Sequence, residues 1–150
     1  MKKIILIIFL LSLSACAYKD INIATVKLDN ALYAKISEDT IKLLGKYTKP
    51  NTSSLIIFSK ENDFLEHLEQ HLRIAGYAVF VTSKETDIKK DDYEFGYVLD
   101  TINKRKVKKN VIKTLRYTFK LNQILCSKLY EVNNNKELLF ASDWVCYLGE

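Results

Sequence analysis

Proline is nearly absent from this sequence, with one residue in 150, and glycine is scarce at four. Such a chain holds neither a proline-rich spacer nor a flexible glycine linker. Histidine occurs twice and tryptophan once. There is no Gly-rich phosphate loop, no Gly-x-Ser-x-Gly elbow and no recognisable acid/base pair of carboxylates. The chain is therefore expected not to be an enzyme and to need no cofactor beyond the lipid described below. Long apolar runs are also missing. The longest, residues 4–13, falls well short of the roughly 20 residues that cross a bilayer. Charge of one sign does not dominate: the net charge is +5, two units of which come from Lys2 and Lys3. That is a weak argument for nucleic acid, and direct nucleic-acid binding is not favoured.

What is present is concentrated at the N-terminus. Lys2 and Lys3 precede the apolar run, and Leu13-Ser14-Ala15-Cys16 follows it at once. A basic start, a short apolar segment and small residues before a cleavage point describe a secretory signal. The last four residues look like a bacterial lipobox. The thiol of Cys16 is the one side chain there that can carry a thioether-linked diacylglycerol. Several acyl chains on one residue anchor stably, at about 0.8 kcal/mol per buried CH₂. The competing reading is an ordinary signal peptide cleaved after Ala15, with Cys16 a bystander. Position 17 is Ala and not Asp, which favours the outer membrane, at its periplasmic face, over retention at the inner one.

Residues 1–15 are thus expected to be a lipoprotein signal, 16–28 a short tether, and 29–150 a single α+β domain large enough for a real core. Asp29 can cap a helix to about Tyr47, with Leu32, Ile36, Leu43, Leu44 and Tyr47 on the apolar face and Lys35, Glu38, Asp39 and Lys42 off it. Residues 54–58 suit a buried strand. Asn62 or Asp63 can cap a second helix with the stripe Leu65, Leu68, Leu72 and Ala75, closed by Gly76. Residues 77–81 form the next strand, which completes a β-α-β unit. After a polar loop at 82–92 come a strand at 93–102 and a basic turn at 103–110. A strand then starts at 111; it alternates cleanly to Leu121 and, with no turn signal before Ile124, can continue bent or bulged to Val132. A last strand spans 138–148. The architecture is an N-terminal helix, the β-α-β unit and an antiparallel three-strand meander.

Three groups of residues invite chemistry. Cys126 and Cys146 form an even pair in an exported chain. They lie on neighbouring strands and can bond if both face the same side; two buried free thiols are the alternative. His67 and His71 share a helical face, but Leu68 stands where a zinc protease needs Glu and no third ligand is evident, so two polar residues beside the core stripe are expected and not a metal. Lys104, Arg105, Lys106, Lys108 and Lys109 form the densest charge run. It could attract phosphates, yet it contains no aromatic residue to stack a base, and a solvated hairpin tip is the simpler reading.

The stretch from Asp63 has a familiar order: Phe64-Leu65-Glu66-His67-Leu68-Glu69 to Leu72, then Ala75-Gly76-Tyr77-Ala78-Val79, Gly96-Tyr97-Val98-Leu99-Asp100, Lys128-Leu129-Tyr130 and Ala141-Ser142-Asp143-Trp144-Val145. With the lipobox, this resembles the TrbH family of conjugal transfer lipoproteins over roughly residues 60–146. The resemblance implies a structural role: a lipid-anchored assembly subunit of a type IV secretion envelope complex, partnered by ring-forming pore subunits and carrying no catalytic residues. The alternatives are a lipoprotein of another envelope machine, such as a secretin pilot or β-barrel assembly accessory, and a periplasmic ligand-binding lipoprotein. The anchor has a direct test. Cys16→Ser should abolish palmitate labelling and release the chain from membranes on fractionation; unchanged labelling in the variant would end the lipoprotein reading.

Overall fold

A computed structural model of the chain describes residues 22–83, 89 and 91–149. The signal segment, Cys16 and the first part of the tether lie outside the described residues. The elements are β1 (Ile23–Ala24), α1 (Asn30–Leu44), β2 (Ser54–Phe58), α2 (Asp63–Ile74), β3 (Ala78–Thr82), β4 (Asp92–Val107), β5 (Asn110–Leu121), β6 (Ile124–Val132), β7 (Leu138–Ala141) and β8 (Val145–Leu148).

Both helices begin where a short polar side chain replaces a missing helical acceptor. Asp29 and Asn62 sit in extended backbone, and their side-chain oxygens accept from the N–H groups of Leu32 and Leu65. Gly76 ends α2 at φ 96°, a conformation that a Cβ would strain, and the Tyr77 N–H returns to the Leu72 carbonyl. The apolar stripes then fix the layering. Phe64 of α2 is fully buried, edge-on to Tyr97 and Tyr117 of the sheet and tilted against Tyr33 of α1. One aromatic ring thus joins both helices to the same sheet face.

The fold is α+β, with two helices and one eight-stranded mixed sheet in the order β3-β2-β4-β5-β6-β7. β2 runs parallel to both β3 and β4, while β4, β5 and β6 are antiparallel neighbours. The core-facing residues alternate as strands require: Phe95, Tyr97 and Leu99; Leu115, Tyr117, Phe119 and Leu121; Cys126, Tyr130 and Val132, all buried. The opposite face carries the row Ile23, Val98, Thr118, Ser127 and Val145, side by side across five strands. Among the described residues no helix covers it.

Several expectations change. The antiparallel part holds five strands, β4 to β8, and not three, and β4 ties it to the β-α-β unit by pairing with β2 at its start. The tether does not run to residue 28. Ile23 and Ala24 pair with Val98 and Leu99, and Leu28 is buried, its N–H donating to the Tyr33 hydroxyl. Residues 103–107 are not a turn, because the β4–β5 ladder continues to the Val107–Asn110 pair and leaves only Lys108 and Lys109 at the tip, Lys108 in the left-handed region. Leu121 and Ile124 are not one strand. Asn122 takes φ 50° and closes a two-residue turn, its side-chain oxygen accepting from the Glu94 N–H. Residues 138–148 split into β7 and β8, because Ser142, Asp143 and Trp144 leave the ladder. Finally, Asp39 is not off the packed face of α1; it is buried.

Candidate functional site

Two features stand out, and a single lysine links them. The first is the sheet edge made by β7 and β8. Both strands pair with β6, and among the described residues no strand pairs with their other side. The turn into β7 is built by Asn133, whose side-chain oxygen accepts from the Glu137 N–H while Lys136 adopts φ 63°. Between the strands Trp144 leaves the ladder to set its indole edge-on to Phe119 and Tyr117 on the core side. Ser142 holds the crossing in register, exchanging hydrogen bonds with the Leu129 backbone through its own N–H and Oγ.

The edge is apolar and exposed. Phe140 is 55% exposed, Tyr147 64% and Leu148 80%, with Leu139 and Val145 also open. Phe140 pairs with Glu131, Val145 with Ser127 and Tyr147 with Leu125, so these three side chains share the uncovered sheet face with Leu125 and Leu129. Clustered apolar exposure beside unpaired backbone is a recognised liability unless a partner covers it. The opposite edge, β3, also exposes an aromatic ring, Phe80, but there Arg73 donates to the Val79 carbonyl at 2.6 Å.

Cys126 and Cys146 sit directly opposite each other on β6 and β8 and are joined as a disulfide, with Cα atoms 4.1 Å apart. The other side chains of β8 are all exposed. Backbone pairing and this covalent rung, not core packing, therefore hold β8 in place.

The second feature is a buried carboxylate. Asp39 Oδ2 accepts from Lys128 Nζ and from the Tyr130 hydroxyl, both at 2.9 Å, and Oδ1 accepts from Lys35 Nζ at 3.0 Å. Burial alone would raise its pKa. The bonds from Lys128, Lys35 and Tyr130 outweigh that and hold it below the ordinary carboxylate value. Tyr130 moves the other way: burial, then the adjacent Asp39 charge, push its hydroxyl up. The three bonds to Asp39 make the cluster a clamp between α1 and β6. Lys128 also lies 5.6 Å from the centre of the Trp144 ring, which carries the clamp to the exposed edge.

The remaining expected residues fall elsewhere. Cys16 lies outside the described residues. His67 Nε2 is 3.2 Å from Asn30 Oδ1, and His71 Nδ1 is 2.8 Å from the His67 carbonyl; no three metal-ligating side chains cluster among the described residues. A recess of about 410 Å³ near the end of α1 is lined by residues including Lys46, Lys49, Ser53, Asp91 and Tyr93. The family model of conjugal transfer protein TrbH matches residues 17–146. The chain belongs to the TrbH family. The match starts beside Cys16 and spans both helices and the strands through Val145, well beyond the segment from residue 60 that first suggested it. No curated protein and no solved structure matches the chain. For a TrbH protein the relevant geometry is thus its own: no helix among the described residues is long and apolar enough to cross a membrane, and the surface most suited to contact is the β7–β8 edge.

Sequence reasoning missed Asp39 and Lys128 because they are 89 positions apart. The readable hint was Lys128 itself, which stands between Cys126 and Tyr130 in the inward register of β6.

Two consequences can be measured. Asp39→Asn keeps the shape but leaves the Lys128 ammonium unbalanced, so urea unfolding at pH 7 should show a loss of about 3 kcal/mol. A carboxylate with a lowered folded pKa stabilises above its unfolded value of about 4, and that contribution is lost as pH falls through the folded value. The gap between wild type and variant should therefore close in acid; a gap independent of pH would contradict the ion pair. Cys146→Ser opens a loop with a sequence separation of 20, which should cost about 3 kcal/mol. Reductant should bring the wild type down to the variant and leave the variant unchanged.

Proposed function

We propose that this TrbH protein is a lipid-anchored assembly subunit of a type IV secretion complex serving conjugal transfer, and that it binds a ring-forming pore subunit through its β7–β8 edge. The observation that carries this reading is the open edge itself: two short strands with free backbone on one side and Phe140, Val145 and Tyr147 exposed beside it. Strand addition would use the backbone for affinity and the alternate side chains for choice of partner. A diacylglyceryl group on Cys16 would hold the domain at the periplasmic face of the outer membrane and raise the effective concentration of this edge near a membrane-bound partner. The family name supports the conjugal setting.

The test is genetic and biochemical. Deleting the gene should lower the amount of pore complex recovered from detergent-solubilised outer membranes, and the lipidated wild type should restore it. The double variant Phe140→Asp/Tyr147→Asp, altered only at exposed positions, should accumulate normally in membranes yet fail to restore the complex or transfer. Normal assembly and transfer in the deletion strain would remove the assembly role; normal complementation by the edge variant would move the docking surface elsewhere.

A further inference from the structure

The most asymmetric feature of the molecule lies outside both of these sites. Residues 104–113 hold six of the 23 cations, Lys104, Arg105, Lys106, Lys108, Lys109 and Lys113, and none of the 18 acidic residues. The rest of the chain has 17 cations against 18 acids, so this segment accounts for all of the net positive charge. The charge is also raised off the body. β6 reaches only as far as the Lys113–Val132 pair, the Asn134 side chain lies against the Val111 backbone, and beyond that point residues 106–110 continue as the two-stranded tip of this basic arm. Residues 102–110 are all exposed. One acid faces the arm, Glu131 against Arg105 at 3.0 Å. Nothing in the packing of the core needs the arm to exist.

We propose that this arm is a second membrane contact, which takes the phosphates of anionic lipid headgroups on the surface that bears the anchor. The proposal rests on the lipid-anchor reading for its setting, but the arm's affinity is independent of Cys16. Three observations favour a lipid surface. The described chain begins at Asn22, whose side-chain oxygen accepts from the Tyr97 N–H, and Cys16 can lie no more than about 20 Å from that point. A bilayer is then always within reach of the domain. Val107 at the tip is 43% exposed and Ile102 is 48% exposed, so aliphatic side chains sit among the lysines, as they do at lipid interfaces, where apolar groups enter and ammonium groups stay with the phosphates. No aromatic residue occurs in 102–113, so the arm has nothing on which to stack an unpaired base.

The geometry also restricts the orientation. From Val98, beside β1, to Lys108 at the tip is about 30 Å along β4. Electrostatic attraction fades over about 8 Å at physiological salt. With the tip pointing away from the membrane the arm would feel nothing, so contact requires β4 to lie along the surface or to lean tip-down within the reach of about 20 Å that residues 16–22 allow.

The experiment uses the mature chain, residues 16–150, with Cys16→Ser so that no lipid contributes. Flotation with vesicles of 70% phosphatidylcholine and 30% phosphatidylglycerol should recover the protein; pure phosphatidylcholine should not. Raising salt from 50 to 300 mM should weaken binding at least about tenfold, as phosphate contacts do. Lys106→Glu/Lys108→Glu/Lys109→Glu should weaken it at least about tenfold again, with an unchanged thermal midpoint because the arm lies off the core; the matching Gln triple variant should fall between the two. Equal binding to neutral and anionic vesicles, or undiminished binding by the Glu variant, overturns the proposal. So does a single-stranded oligonucleotide that binds more tightly than the anionic vesicles at equal salt, since nucleic acid would then be the occupant. Failure of palmitate labelling at Cys16 would instead strike the anchor alone.

Discussion

The contact between Asp39 and Lys128 is the point on which the arrangement turns. It joins the first helix to the sixth strand across 89 positions, and it is made largely out of water, with both side chains more than four-fifths buried. An ion pair so placed adds little net stability over an apolar substitute, but removing one partner strands the other. With Asp39 engaged, α1 is tied to β6 through Lys128 and Tyr130. Lys128 is then fixed beside Trp144, and Trp144 decides where the ladder breaks between β7 and β8.

A second constraint follows from having only two helices. They cover one face of an eight-stranded sheet, and Phe64 gathers them onto the β4–β5 centre. The other face and the β7–β8 edge stay open, partly neutralised by cross-strand polar pairs such as Asp100 with Arg116 and Thr118 with Ser127. Large apolar side chains are exposed at both ends of the sheet, Phe80 on β3 and Phe140 and Tyr147 on β7 and β8.

Much of this was readable from local pattern. The helix caps Asp29 and Asn62, the stripe of α2 and the alternation from Leu115 to Leu121 obey short-range rules, and all stand where those rules put them. The turns were harder. Asn122-Gln123 and Lys108-Lys109 contain no glycine, yet Asn122 and Lys108 take the left-handed conformation, and only asparagine has a known tolerance for it. Asp39 was beyond local reading, since a carboxylate among Lys35, Glu38 and Lys42 looks solvated until its partner on β6 is known. The candidate edge was legible as a strand but not as two, because the break at Trp144 is set by ring packing against Tyr117 and Phe119. The resemblance to TrbH rested on the helix-to-strand segment, and the family match extends it over the rest of the domain.

The tiny strand β1 has a mechanical meaning. On the proposed reading, a domain held by lipid at one end and by a partner at its far edge would be under load whenever the two move apart. The load path would enter at Asn22, cross β1, β4, β5 and β6, and leave through β8, where Cys126–Cys146 is the one covalent rung. Its first rungs are the Asn22 side chain, which bonds Tyr97 and Phe58, and the two-residue pairing of Ile23 and Ala24 with β4, assisted by the Thr25 N–H to the Leu99 carbonyl. Peeling β1 back as far as the buried Leu28 would release six residues and lengthen the leash by about 20 Å, while the rest of the sheet, the Asp39 clamp and the β7–β8 edge stay whole. β1 would then act as a strain relief, yielding before anything that matters to the partner is disturbed.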